Sequence, residues 1–459
     1  MKSRKLRRTL CYGTVVKHNK RNGEMNSTFK IVFNRARGAM TVVNEMTKSH
    51  QTGRKAAVAV AVAGALAFSA GVQATVYVEG QGQDVTVTEG DVNSQDSKNR
   101  VVGGWKDWSD TAQQAALNNT VTVQSGQWNM AIGGHYTSDR DQVDHSAVQN
   151  THVVINGGEV YAVVGGTGGS DNLEVTRINE NAVASVTING GSFGTTNYTT
   201  DCTELFVLGG DLMKHKGDAF GGNINAEAES EIGATRVTIK GGTFNSAVVG
   251  GSAAIVYYGN ANKGAKTTVG TTNVTIEGGT FNHGIVAGGL ASGHKTHSFV
   301  KEANLSIIAK DKALVVNKSI FAGGLVRDDA YGNPADSSST VGHATVRVEG
   351  VKVGGGIYGT DAALSMMGNK QGWMYRPLLN TDGSAATVLT DMTLVNVTAT
   401  ESILGKDSTL NVHGKVELGE LKATGVKIFR SSTRPPTLPR SRLSPTMLPR
   451  RARSSTSTS

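Results

Sequence analysis

A six-residue block recurs along this chain and limits what it can fold into. It reads Val-Thr-Ile-x-Gly-Gly, as in VTINGGSF from Val186, VTIKGGTFNSAVVGG from Val237 and VTIEGGTFNHGIVAGG from Val274. VVINGGEVYAVVGG from Val153 is a fourth copy. Weaker versions start at Val121 (VTVQSGQWNMAIGG), Leu305 (LSIIAKDKALVVNKSIFAGG) and Val346 (VRVEGVKVGGG). The intervals between successive starts are unequal, shortest from Val274 to Leu305 and longest from Val186 to Val237. A constant unit with insertions of varying length is the sequence mark of stacked repeats.

Each unit carries the same local physics. Val237-Thr238-Ile239 alternates apolar, polar, apolar, which points Val237 and Ile239 to one face of a strand and Thr238 to the other. Gly241-Gly242 permits a turn with positive φ, Thr243-Phe244 begins a second extended run, and Val248-Val249 leads to a second corner at Gly250-Gly251. One such unit is too short to bury its inner face alone. Stacked about 4.8 Å apart, the units close a continuous core of Val, Ile and Phe. The expectation is an all-β fold, a parallel β-solenoid spanning residues 75–426. The glycine pairs read as turn formers rather than phosphate cradles, because no helix pattern with a following lysine or serine comes after them.

Upstream of the repeats, Arg54-Lys55 precedes AAVAVAVAGALAFSAGVQA, residues 56–74, which holds no charge. Its apolar part ends near Phe68, short and alanine-rich for a membrane anchor. The basic flank, apolar core and small-residue exit at Val72-Gln73-Ala74 predict a secretory signal cut between Ala74 and Thr75. Residues 25–55 form an extra block ahead of it, with Met25-Asn26, Phe29-Lys30, Phe33-Asn34 and a later Glu45. This order resembles the extended signal peptide region of bacterial type V secretion, with Ser27 in place of the family's usual lysine and Phe33 in place of its tryptophan. The resemblance is to an AIDA-like, adhesin-type autotransporter passenger and covers residues 25–74. It implies a right-handed β-helix, export in a Gram-negative bacterium, the inner-membrane export machinery as a partner, and a final place at the cell surface, in the outer membrane or secreted. Residues 1–24 lie outside the pattern and read as an upstream extension, with Met25 as the expected start.

The whole-chain charge of +9 conceals an uneven distribution. Residues 1–74 hold 14 Lys/Arg against 2 acids, and residues 427–459 hold 8 against none. Taking these from the chain's 46 bases and 37 acids leaves 24 against 35 in residues 75–426, a net −11. A nucleic-acid partner is therefore not expected. Cys11 precedes the expected cleavage point, so Cys202 is the one thiol of the mature chain and no internal disulfide forms.

The last segment, Lys427 to Ser459, holds five of the seven prolines, seven arginines and thirteen Ser/Thr. It reads as a disordered basic tail, and the abrupt change of composition points to a shifted reading frame near residue 427. The chain shows no run of amphipathic strands ending in an aromatic residue, so a membrane β-barrel is not encoded within it and the passenger is expected to be truncated, stalling in the periplasm.

No catalytic set stands out. VVGGW (101–105) resembles the mature N-terminus of chymotrypsin-like proteases, but the serine motif and paired cysteines are missing and a repeat corner explains the glycines. GGTGGSDNL, from Gly165, approximates a calcium nonapeptide but occurs once, with Asp171 one place late. Asp139, Asp141 and Asp144 read as solvated loop carboxylates, and the histidines never fall at metal-ligand spacing. Trp105, Trp108 and Trp128 read as a cap on the first coil, with sugar stacking as the alternative. No cofactor, metal or catalytic residue is expected. The functional expectation is a non-enzymatic adhesion or display protein that meets a host-cell, bacterial or matrix ligand; the alternative is a β-helix enzyme acting on polysaccharide.

Overall fold

The computed structural model describes residues 29–34, 39–44 and 77–431, the last with interruptions at 89–98, 106–116, 138–147, 170–175, 195–205, 211, 216–227, 257–263, 294, 311–312, 329–336, 367–372 and 380–387. The chain divides into two units, residues 1–57 and 58–459. In the first, Phe29–Asn34 pairs antiparallel with Ala39–Asn44 to make a hairpin, Phe29 opposite Asn44 and Phe33 opposite Met40.

The second unit is built of coils, most of which pass through three sheets. In one coil, Ala228–Ile239 lies in a long-stranded sheet, Thr243–Phe244 and Ala247–Val249 lie in a bent sheet, and Ala253–Val256 lies in a third sheet. The next coil repeats this with Ala265–Ile276, Gly279–Phe281, Ile285–Val286 and Leu290–Gly293. Equivalent strands pair in parallel and in register, Val237 with Val274 and Ile239 with Ile276. Among the described residues the long, bent and third sheets hold 11, 15 and 8 strands, and there is no helix. This is the parallel β-solenoid that the repeat implies.

Register makes columns of like residues, and the columns make the core. One inward column runs Val121, Val153, Val186, Val237, Val274, Leu305, Val346, Met392 and Leu410. All of these are buried. A second column stacks rings: Phe193 lies 4.7 Å from Phe244, and Phe244 lies 4.6 Å from Phe281, nearly parallel in both cases. Trp128 is the buried first member of this row, placed by the pairings of Val160 with Trp128 and with Phe193. At the bend of the same sheet Asn282 donates to Asn245 and Asn317 to Asn282, each at 2.8 Å. Strands 162–164, 247–249 and 320–321 serve two apolar clusters. Val163, Val248 and Ile320 join the one beneath the Val-Thr-Ile strands, while Val164, Val249 and Phe321 join a second with the third sheet.

The two glycine corners exist for different reasons. At the first, the second glycine is left-handed: φ is +86° at Gly158, +107° at Gly191, +112° at Gly242 and +115° at Gly279. At the second, no unusual φ is needed, and crowding between coils decides. A Cβ on Gly165 would stand 2.2 Å from the Gly209 carbonyl oxygen, and one on Gly209 would stand 2.1 Å from that of Gly250. Gly103-Gly104 of VVGGW lies in this same row, with Gly104 N–H donating to the Gly134 carbonyl at 2.8 Å. That motif is a solenoid corner.

The coils change near the C-terminal end. Thr360-Asp361 replaces the second glycine pair, and the third sheet finishes with Ala362–Met366 and an antiparallel strand, Trp373–Pro377. Met392 then pairs with Leu410 and Leu410 with Ile428, so these later coils are much shorter than the one from Val237 to Val274. The strand Lys427–Arg430 continues the long sheet past residue 426, where composition places the end of the solenoid. Within it the alternation holds at Ile428, opposite Leu410, and then fails. Arg430 pairs with Val412 in a column that is otherwise apolar, and Phe429, 57% exposed, pairs with the outward Asn411.

Candidate binding face

The long sheet has an outer face whose side chains come from alternate positions of the repeat. One outer column is Thr122, Val154, Thr187, Thr238, Thr275, Ser306, Arg347 and Thr393. Its neighbour is Thr120, His152, Ser185, Arg236, Asn273, Asn304, Thr345 and Asp391. From the coil of Val121 to that of Leu305 these two columns present mainly hydroxyls and amides, with Arg236 as their one residue of fixed charge. Because the period of a strand is two, the same Val-Thr-Ile pattern that fills the core also sets this row of hydroxyls on the outside.

A groove of about 330 Å³ opens on this face, lined by Asn118, Thr120, Asn150, His152, Val183, Ser185 and Arg236 together with Asn119 and Thr151. Asn150 Nδ2 donates to Asn118 Oδ1 at 2.9 Å, and Ser185 Oγ donates to the Thr151 carbonyl at 3.0 Å. His152 Nε2 lies 3.1 Å from Thr187 Oγ1, and burial lowers its pKa from the ordinary histidine value, so the ring is neutral at neutral pH. Arg236 is exposed and makes no ion pair among the described residues. The strands behind the groove are held from within. Thr151 Oγ1 donates to the Gly165 carbonyl at 2.6 Å and Asn119 Nδ2 to that of Gly133 at 3.0 Å, tying the long sheet to the second glycine corner. Thr272 repeats the tie to Ala287 at 2.7 Å.

Farther along the face, His343 sits between two carboxylates of adjacent coils. Its Nδ1 is 3.0 Å from Glu302 and its Nε2 is 3.1 Å from Asp391. Partial burial acts to lower its pKa, but the hydrogen bonds and charges of Glu302 and Asp391 prevail and raise it. Only the imidazolium can donate to both partners at once. With both ring nitrogens engaged, this trio is an ion-pair bridge across three coils and offers no free base. Among the described residues no group of three or more His, Cys, Asp or Glu side chains could hold a metal ion.

The residues singled out in the sequence fall in several places. Phe29, Lys30, Phe33 and Asn34 belong to the first strand of the N-terminal hairpin. Asn26, Glu45, Ala74, Thr75, Cys202, Trp108, Asp139, Asp141, Asp144 and Asp171 lie outside the described residues. Trp128 is 1% exposed at the head of the ring column, so it is no sugar platform, and Trp105 stacks on His135 with centroids 5.5 Å apart. The groove itself was not visible in the sequence. Its lining comes from four coils, and only register brings Asn118, Asn150, Ser185 and Arg236 together.

Stacked coils with one polar, hydroxyl-rich face define the class: an all-β repeat scaffold that offers an extended surface rather than an enclosed pocket. Residues 25–74 match the family model described as the extended signal peptide of type V secretion system. The chain is thus an exported substrate of type V secretion, carried across the inner membrane of a Gram-negative bacterium, and the match supports an autotransporter passenger. Comparison with curated proteins and with solved structures gave no match.

Proposed function

We propose that the exported solenoid is an adhesion or display scaffold at the bacterial surface, and that it works without catalysis. The observation that carries this reading is the outer face of the long sheet. Its two columns, one of them rich in threonine, are polar and nearly uncharged over the coils from Val121 to Leu305, and each is built from the same position of every repeat. A surface of repeated hydroxyls and amides suits many weak contacts in parallel, which add up when ligand units repeat too. The Glu302–His343–Asp391 bridge lies on this open face with its groups already paired, which disfavours the polysaccharide-cleaving alternative. The ligand is a host-cell, bacterial or matrix surface component.

Beads coated with the full-length chain test the proposal. They should be retained on host-cell or bacterial layers well above beads coated with a carrier protein. The triple variant Thr187→Glu, Thr238→Glu, Thr275→Glu places three like charges on adjacent coils and should abolish retention. Equal retention of carrier, parent and variant would overturn the reading.

A further inference from the structure

The groove on the long sheet carries a more specific message about its ligand. Its lining offers amides at Asn118 and Asn150, hydroxyls at Thr120 and Ser185, and the neutral ring of His152. Such groups both donate and accept, and they recur from coil to coil at about 4.8 Å. Val183 is the one aliphatic side chain among the lining residues, so there is no anchor for the apolar side chain of a peptide or for an acyl chain. A ligand made of hydroxyls pairs with these donors and acceptors, whereas a hydrophobic one would leave them unpaired.

Arg236 adds a second requirement. It stands on a region of net charge −11, is exposed, and has no acidic partner among the described residues. Its column neighbours are Ser185 and Asn273, both neutral. A guanidinium takes a carboxylate through two parallel hydrogen bonds, and it is the one fixed cation in the groove. One cation without a second beside it matches one negative charge per bound unit, rather than a densely sulfated chain. We infer that the groove binds a carboxylate-bearing saccharide, with Arg236 holding the carboxylate and the amides and hydroxyls around it holding the sugar hydroxyls. This rests on the adhesion reading and names the ligand class of the same face.

The test is calorimetric titration of the full-length chain with short oligosaccharides of glucuronic, galacturonic and sialic acid type. Each is paired with the same oligomer whose carboxyl groups have been reduced to alcohols. At least one acidic oligomer should bind, and its reduced form should bind roughly tenfold to a hundredfold more weakly. Arg236→Gln should weaken the acidic oligomer by the same factor and leave the reduced one unchanged. Ser185→Asp, which sets a competing carboxylate beside the guanidinium, should do likewise. Both sites are on the outer face, and an unchanged thermal midpoint checks that the coils are intact. No binding by any acidic oligomer, equal binding of the reduced forms, or an Arg236→Gln protein that binds as the parent does would overturn the inference. Coated beads run in parallel separate the two claims. Retention without saccharide binding removes the ligand class alone, whereas loss of retention removes the adhesion reading as well.

Discussion

Phe244→Ala examines the inner architecture at its most ordered point. The ring is fully buried and sandwiched between Phe193 and Phe281 at 4.7 and 4.6 Å. Truncating a buried phenylalanine costs about 3–5 kcal/mol, and roughly 0.5–1.5 kcal/mol of that belongs to each lost ring pair. Because each coil touches only its neighbours, the damage should stay local. Phe244→Leu keeps most of the volume and should cost less than about 1.5 kcal/mol. Urea unfolding of the full-length chain measures the size of the effect, and hydrogen exchange maps its place. Protection should fall in Val186–Phe193, Val237–Val249 and Val274–Val286 and persist in Thr409–His413. The ring column would be refuted as a source of stability by a cost of only about 0.5 kcal/mol, the size of an ordinary surface change. Protection lost evenly along the coils would refute it too.

Three further outcomes follow from particular residues. Ile239→Asp buries a carboxylate between Ile188 and Ile276 and should destabilise by several kcal/mol, while Thr238→Asp on the outer face should shift the urea midpoint little; equal effects would contradict the strand faces. Asp361 is buried, and burial, opposed in part by the Gly324 N–H bond, raises its pKa from 3.8 to about 7. Its neutral form is the one the fold prefers, so its contribution is complete below about pH 4. That contribution falls by about 4 kcal/mol as the pH rises to 7, then stays level. Asp361→Asn should remove this slope in urea midpoints taken from pH 4 to 8, and an unchanged slope would show that the carboxyl is not the titrating group. N-terminal sequencing of exported material should begin at Thr75; a start well upstream of Gly71 would exclude cleavage after Ala74.

The sequence disclosed the coil because the Val-Thr-Ile-x-Gly-Gly block writes strand, face and corner into consecutive residues. It disclosed less where the code is diluted. The coils that begin at Val85, Met392 and Leu410 belong to the same inward column, yet VTVTEG, MTLVNV and LNVHGK lack the glycine pair that makes a copy recognisable. The shortening of the last coils follows from losing the third sheet, which no local pattern announces. Thr151, Thr235 and Thr272 sit inside, bonded to corner carbonyls, where an alternating pattern alone gives no sign of buried hydroxyls. The groove was hidden for a related reason. Asn118 and Arg236 are far apart in the chain and meet only through three strand pairings.

Spin-label distances along the outer threonine column test the solenoid most directly. Labels are placed on cysteines substituted pairwise for Thr122, Thr238, Thr275 and Thr393, with Cys11 and Cys202 replaced by serine. Starting from Thr122, these positions are three, four and seven coils away. At about 4.8 Å per coil the backbone separations should be about 14, 19 and 34 Å. Measured distances should rise linearly with the number of coils and stay close to these values. Distances well above them, or that fail to grow from Thr275 to Thr393, would contradict the stacked parallel coil.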